Sequence, residues 1–187
     1  MLYESMVNTY VSWIQSGLRL SYRRYSLDWD VHEQAIITLA TQTRVTVKMT
    51  RQYISGWSLY PFQDRHLQCL TLNVDRQTGK VFETEIHPFY RRLWLNPCVT
   101  IGDRIPVSIR IEDPTELLFT VKGKELKTMD NKQVNCWRLE ASFHDEHYRM
   151  WNDDQYGLRI RCETMRRISQ HQFAAHTVWQ LHQVHMN

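Results

Sequence analysis

The sequence predicts a mainly β fold of the α+β class: a long curved antiparallel sheet, or half-barrel, packed around an N-terminal helix. Three observations carry this. Residues 37–49 alternate apolar and polar side chains with no Gly or Pro to interrupt them. Further segments alternate the same way, joined by short polar turns. Predicted strands heavily outnumber helices and no βαβ rhythm links them, which favours an antiparallel sheet or barrel.

The opening segment reads as a helix. Leu2, Met6, Tyr10 and Ile14 recur every four residues, Val7, Val11 and Leu18 widen the stripe, and Gly17 stands where helices commonly end. The clearest strand follows, with Ile37, Leu39, Thr41, Thr43, Val45, Val47 and Met49 on one phase. Read as one strand, these thirteen residues would span ~40 Å, a length that implies twist and bend. Leu67–Val74 and Val81–Ile86 flank the turn Asp75-Arg76-Gln77-Thr78-Gly79-Lys80, and Asn96-Pro97 breaks the next stretch. Ile105, Val107, Ile109 and Ile111 alternate. Leu117–Val121 and Glu125–Met129 look like a hairpin about Lys122-Gly123-Lys124. Val134–Phe143, Tyr148–Trp151 and Gly157–Thr164 form a meander, and Thr177–Val184 suits a strand or a short helix. No internal repeat or linker interrupts residues 1–187, so the chain reads as a single domain.

Apolar residues at 42% and aromatics at 12% supply a core, which excludes a disordered chain. A net charge of +3, from 23 basic and 20 acidic side chains, does not demand a nucleic-acid partner, and none is expected. The pairs Arg23-Arg24, Arg91-Arg92 and Arg166-Arg167 suit solvated strand edges better than a phosphate groove. The start contains Glu4 where a signal peptide needs an apolar run, and no stretch reaches the ~18 apolar residues of a membrane span. As written, the chain reads as soluble and cytoplasmic; an exported chain stripped of its leader would look the same.

Candidate chemistry is sparse. Cys69, Cys98, Cys136 and Cys162 are widely spaced and form no zinc motif, so free thiols are expected. The stretch His144-Asp145-Glu146-His147 falls where the strand pattern demands a turn, and His171, His176, His182 and His185 fit no finger spacing, so no metal site is assigned. No GxSxG, HExxH, P-loop or dinucleotide motif occurs, and no cofactor is expected. Acidic pairs such as Asp153-Asp154 and Glu83/Glu85 read as turn and surface residues rather than a glycosidase pair. The seven tryptophans mostly build the core. Because a curved sheet encloses more space than one helix fills, Trp13, Leu39, Val45, Val47, Trp137 and Trp151 are the candidate lining of an apolar cavity.

The stretch from Val134 to Met165 combines an alternating strand, a polar turn, a short strand ending Trp151-Asn152-Asp153, and Gly157-Leu158 opening the next. With Asn96-Pro97, Ile101-Gly102-Asp103-Arg104-Ile105 and the Asp75–Phe82 hairpin, it resembles the meander of LolA/LolB-like lipoprotein-carrier domains over roughly residues 65–165. The resemblance implies a long sheet curled around helix, with an apolar concavity that in the carriers receives acyl chains. The lipobox cysteine of such carriers is missing. The leading expectation is thus a non-enzymatic domain binding an apolar or lipid-like ligand. The alternatives are a structural or protein-interaction module with a filled core, and a hydrolase with a motif-free site.

Overall fold

The computed structural model describes residues 13–26, 29–56, 68–82, 94–108, 116–169 and 173–185. Within them, β1 (Arg19–Ser26), β2 (Trp29–Ala40), β3 (Arg44–Gly56) and β4 (Gln68–Asp75) form one antiparallel meander. A second meander comprises β5 (Arg104–Ser108), β6 (Glu116–Met129), β7 (Lys132–Phe143), β8 (Glu146–Asp153), β9 (Arg159–Arg167) and β10 (Phe173–His185). Antiparallel pairing of β1 with β10 fuses the two into a ten-stranded sheet ordered β4-β3-β2-β1-β10-β9-β8-β7-β6-β5. The sheet does not close, so β4 and β5 are its edges. It is nonetheless strongly curled. Strands β6 and β10 stand four places apart, ~19 Å on a flat sheet, yet approach within 8 Å.

Three sequence expectations need correcting. Residues 37–49 are a hairpin, not one strand: β2 ends at Ala40 and β3 begins at Arg44. Neither Gly nor Pro makes the turn, because Thr41 does. Its backbone N–H donates to the Arg44 carbonyl (2.8 Å), and its hydroxyl accepts from the Arg44 N–H (3.0 Å). Alternation survives because of a bulge. Ala40 faces Val45, but the register then shifts between Ile37 and Leu39 so that Ile37 faces Val47. The shift keeps Ile37, Val45, Val47 and Met49 buried and turns Leu39 out beside Thr46, 56% exposed.

The second correction is similar. Lys122-Gly123-Lys124 is not a hairpin turn; β6 runs straight through it, with the register shifting between Val121 and Gly123. Third, Trp13–Leu18 contain turns rather than the end of a helix, while residues 1–12 lie outside the described residues. Ile14 and Leu18 are still fully buried, and the Gly17 N–H, at φ 92°, donates to the Ile37 carbonyl (2.8 Å). The last segment is strand, not helix.

Two buried clusters result. The larger joins Leu20, Ile37, Val45, Val47, Leu72, Val74, Trp94, Leu158, Trp179 and Leu181 with neighbours including Trp151; the smaller joins Leu95, Val107, Phe119, Val121, Leu139, Tyr148 and Met150.

Candidate functional site

Pairing register places the residues of one sheet face in transverse rows, because directly opposed residues project the same way. One row runs Val31, Arg24, Trp179, Cys162, Met150, Leu139, Val121, crossing seven strands from β2 to β6. Its β6 end is wholly apolar. Beside its other end, Glu33 on β2 faces Tyr22 on β1, and Tyr22 in turn faces Leu181. The face therefore changes character across its width, from aliphatic on β6–β8 to polar and aromatic around β1.

That polar centre is buried. Tyr22 stacks on Trp179 with ring centroids 4.0 Å apart and planes 22° from parallel. The Trp179 indole N–H donates to Glu33 Oε2 (3.1 Å), and the Arg159 guanidinium stands 5.7 Å from the Trp179 ring centroid. Glu33, Asn152 and Arg159 are each 2% exposed. The bulge between Trp151 and Asn152 pairs Asn152 with Arg159. Burial raises the Tyr22 phenol above its usual range, with Arg159 opposing and Glu33 adding to that shift. The Tyr22 hydroxyl, Asn152 Oδ1 and Thr164 Oγ1 are buried and find no hydrogen-bond partner. Buried polar atoms are normally satisfied, so the unpartnered Tyr22 hydroxyl, held at this centre by its stack on Trp179, is an exception.

The residues expected to line a cavity are distributed differently. Val45 and Val47 are on this face and fully buried against Val74, Leu72 and Ile37. Trp137 is half-buried on the same face as Leu139, its indole donating to the Pro97 carbonyl (3.1 Å) beneath the Lys124 ammonium. Trp151 projects from the opposite face of β8 to Met150, its indole donating to Glu125 Oε2 (2.8 Å) and its ring roofed by Lys127 Nζ at 4.1 Å. Burial pushes Glu125 up, but hydrogen bonds from Trp151, Lys127 and Arg138 outweigh it and hold the carboxyl below its usual range. Leu39 lies on the outer side. Trp13 packs edge-on against Trp94 (6.0 Å) and Tyr156 (6.3 Å).

Two turns that the sequence announced match each other, which sequence reasoning missed. Asp75-Arg76-Gln77-Thr78-Gly79 follows β4, and Asp153-Asp154-Gln155-Tyr156-Gly157 follows β8. In each, the first Asp accepts from the backbone N–H three residues on (Thr78, 2.7 Å; Tyr156, 2.9 Å). In each, the Gly N–H donates back to that Asp carbonyl (2.9 and 3.0 Å), with Gly at φ 68° and 70°. The two turns grip adjacent residues of one crossing segment. The Trp94 indole donates to the Arg76 carbonyl (2.9 Å), while the Leu95 N–H donates to the Gly157 carbonyl (2.9 Å). The shared D-x-Q-x-G spelling was the available signal.

Other chemistry is weaker. Cys136 and Cys162 are buried, and burial pushes their thiols up to about 12 and about 11, which opposes a thiolate nucleophile. Among the described residues, no group of three His, Cys, Asp or Glu side chains fits a metal ion. Arg23 pairs with Asp30, and Arg138 and Arg149 both approach Glu140 (3.4 and 3.3 Å), so much outer positive charge is matched on the sheet itself. No helix among the described residues is long and apolar enough to cross a membrane. No protein-family model matches the chain, and no curated protein matches it.

Proposed function

We propose that the chain is a non-enzymatic binding domain whose curled sheet holds an amphipathic, lipid-like ligand against one face. The observation that carries the reading is the transverse row, which grades from Val121, Leu139 and Met150 into the buried polar centre at Trp179 and Arg24. A face of that composition complements a molecule with an apolar tail and a polar end, which would take the place of what now covers its 0–4% exposed residues from Trp179 to Val121. The half-barrel wrapped around the N-terminal segment, and kinship with the LolA/LolB-like carriers, belong to this proposal. So does a cavity role for the inner-face residues Val45, Val47 and Trp137. Native mass spectrometry of the protein with fatty acids, lysophospholipids and alkyl alcohols tests it. A saturable one-to-one adduct is expected; protein that stays free of every probe would sink the reading.

A second reading, a protein-interaction module with a filled core, draws support from one observation: Val45, Val47, Trp179 and Leu181 are at most 1% exposed with no ligand present. Under that reading the orphan polar atoms serve fold specificity alone. Unchanged unfolding midpoints across all lipid probes would favour it.

A further inference from the structure

We infer that the domain is one unit used twice, the described parts of residues 13–82 and 94–160, and that each copy is strapped to the other by its leading tryptophan in a latch that opens as one event. Backbone geometry carries the repeat. The Gly17 N–H donates to the Ile37 carbonyl (2.8 Å) while the Ile37 N–H donates to the Leu18 carbonyl (2.9 Å). Gly102, Val121 and Asp103 repeat both bonds at 2.9 Å, and the two glycines share φ values of 92° and 97°. The β2–β3 bulge falls directly after Ile37, and the β6–β7 bulge directly after Val121. Arg44 stands opposite Asp75 as Cys136 stands opposite Asp153. The N–H after each Asp then reaches back to the same place, Arg76 to the Thr43 carbonyl and Asp154 to the Asn135 carbonyl (3.0 Å each).

Strands β1 to β4 thus correspond to β5 to β8. Antiparallel neighbours alternate in direction, so β4 and β8, six places apart in the sheet order, point the same way, as do β1 and β5. A two-fold axis along the curl therefore relates the copies without reversing a strand. The sequence hides this, although it reads as free of repeats. Gly17 follows Trp13 more closely than Gly102 follows Trp94, and β6–β7 runs on to Met129 and Lys132 past the point where Thr41 turns β2–β3. Insertions at different places leave no fixed period to find.

What joins the copies is exchange. Trp13, ahead of the first copy, donates its indole N–H to the Tyr156 carbonyl in the second copy's turn (3.1 Å). Trp94, ahead of the second, donates to the Arg76 carbonyl in the first copy's turn (2.9 Å). The two rings meet edge-on, 6.0 Å apart, as equivalent residues do only near the axis that relates them. Swapped arms of this kind hold dimers together, and here one chain carries both. Symmetry is broken at Leu95, whose N–H also bonds the Gly157 carbonyl. Trp94 is fully buried with half-buried Trp13 against it, so release of either ring strips a packing surface from the other. This end of the curl therefore opens as one concerted event in place of two separate frayings. The inference is independent of what the sheet binds.

Hydrogen exchange of the indole N–H signals, followed by ¹⁵N NMR on the full chain, tests the latch in Trp13→Phe and Trp94→Phe. Each variant loses one strap bond and part of the ring contact, so exchange at the surviving strap indole should speed up by roughly tenfold. The Trp179 indole, bonded to Glu33 in mid-sheet, should keep its parent rate. Trp13→Phe is the deciding variant, because its ring is the more exposed and its loss the milder. A Trp94 indole that exchanges at the parent rate in Trp13→Phe would overturn the latch. Equal acceleration of Trp94 and Trp179 in that variant would also overturn it, by showing a general loss of stability instead of an opening at one end.

Discussion

Gly157→Ala should be among the most damaging single-methyl changes in the protein, and the structure says why. Gly157 sits at φ 70°, where a side chain strains the backbone by about 1–2 kcal/mol. A Cβ there would overlap the Leu95 carbonyl oxygen and stand 2.9 Å from its carbon, so the crossing segment must retreat. Retreat breaks the Leu95 N–H bond to the Gly157 carbonyl and disturbs the Asn152 Nδ2 bond to the same oxygen. At about 1 kcal/mol net for each bond, the total reaches roughly 3–4 kcal/mol. Gly79→Ala should behave alike, because its Cβ would overlap the Trp94 carbonyl oxygen and lie 2.8 Å from Trp94 N. Gly102 is the control. It has φ 97° but an added Cβ would meet nothing within 4 Å, so Gly102→Ala should lose only about 1–2 kcal/mol. Urea unfolding monitored by tryptophan fluorescence gives the three values from midpoint shifts at constant slope. Equal losses at all three glycines would refute the claim that two turns clamp residues 94–95.

Three further outcomes follow from the same structure. Asp75→Ala removes the acceptor for the Thr78 N–H and hydroxyl, both at 2.7 Å, and should cost about 1–2 kcal/mol in urea unfolding; no loss would show the turn needs no side-chain anchor. Acidification should destabilise through His147 and His182, whose ionisation burial holds below the ordinary 6.5. A lowered base gives stability that is present above 6.5 and lost as pH falls through the folded value, so midpoints scanned from about pH 8 to about pH 5 should drop, and His147→Gln should flatten the drop. Thiol labelling with a disulfide reagent should modify Cys69 and Cys98 in native protein and reach Cys136 and Cys162 only in denaturant; fast labelling of all four would contradict the packing.

How far the sequence could be read depends on which interactions are local. Alternation along β2, β3, β7 and β9 was legible because burial of one face imposes a period of two. The Trp151-Asn152-Asp153 and Gly157 turn was legible because Asp and Gly have specific turn chemistry, and the structure returns it with Asp153 accepting from Gln155 and Tyr156. The Thr41 turn was not, since a hydroxyl bonding to the backbone three residues on leaves no Gly or Pro in the spelling. Bulges were invisible for a related reason. Whether Thr38 or Lys122 is the extra residue is decided by the partner strand, not by its own neighbours. Strand order depends on β1 meeting β10, more than 150 residues away by Arg19↔His185, and nothing local records that.

The polar centre left one trace. Along β2 the buried phase reads Val31, Glu33, Ala35, Ile37, and a carboxylate in an apolar phase signals a buried partner. Its partner Trp179 lies 146 residues away, so the trace could not name it. The lining set divided along the same boundary. Val45 and Val47 follow the period and stay on the inner face, Leu39 is turned out by a bulge, and Trp151 was counted without knowing which face of β8 it takes.

Indole N–H signals in a ¹⁵N NMR titration with dodecanoate test the placement of the ligand most directly. Trp179 faces the polar centre and Trp151 the reverse side, so saturating ligand should move the Trp179 resonance and leave the Trp151 resonance, bonded to Glu125, where it was. A titration that shifts Trp151 while Trp179 holds still would contradict an amphiphile lying on the inner face.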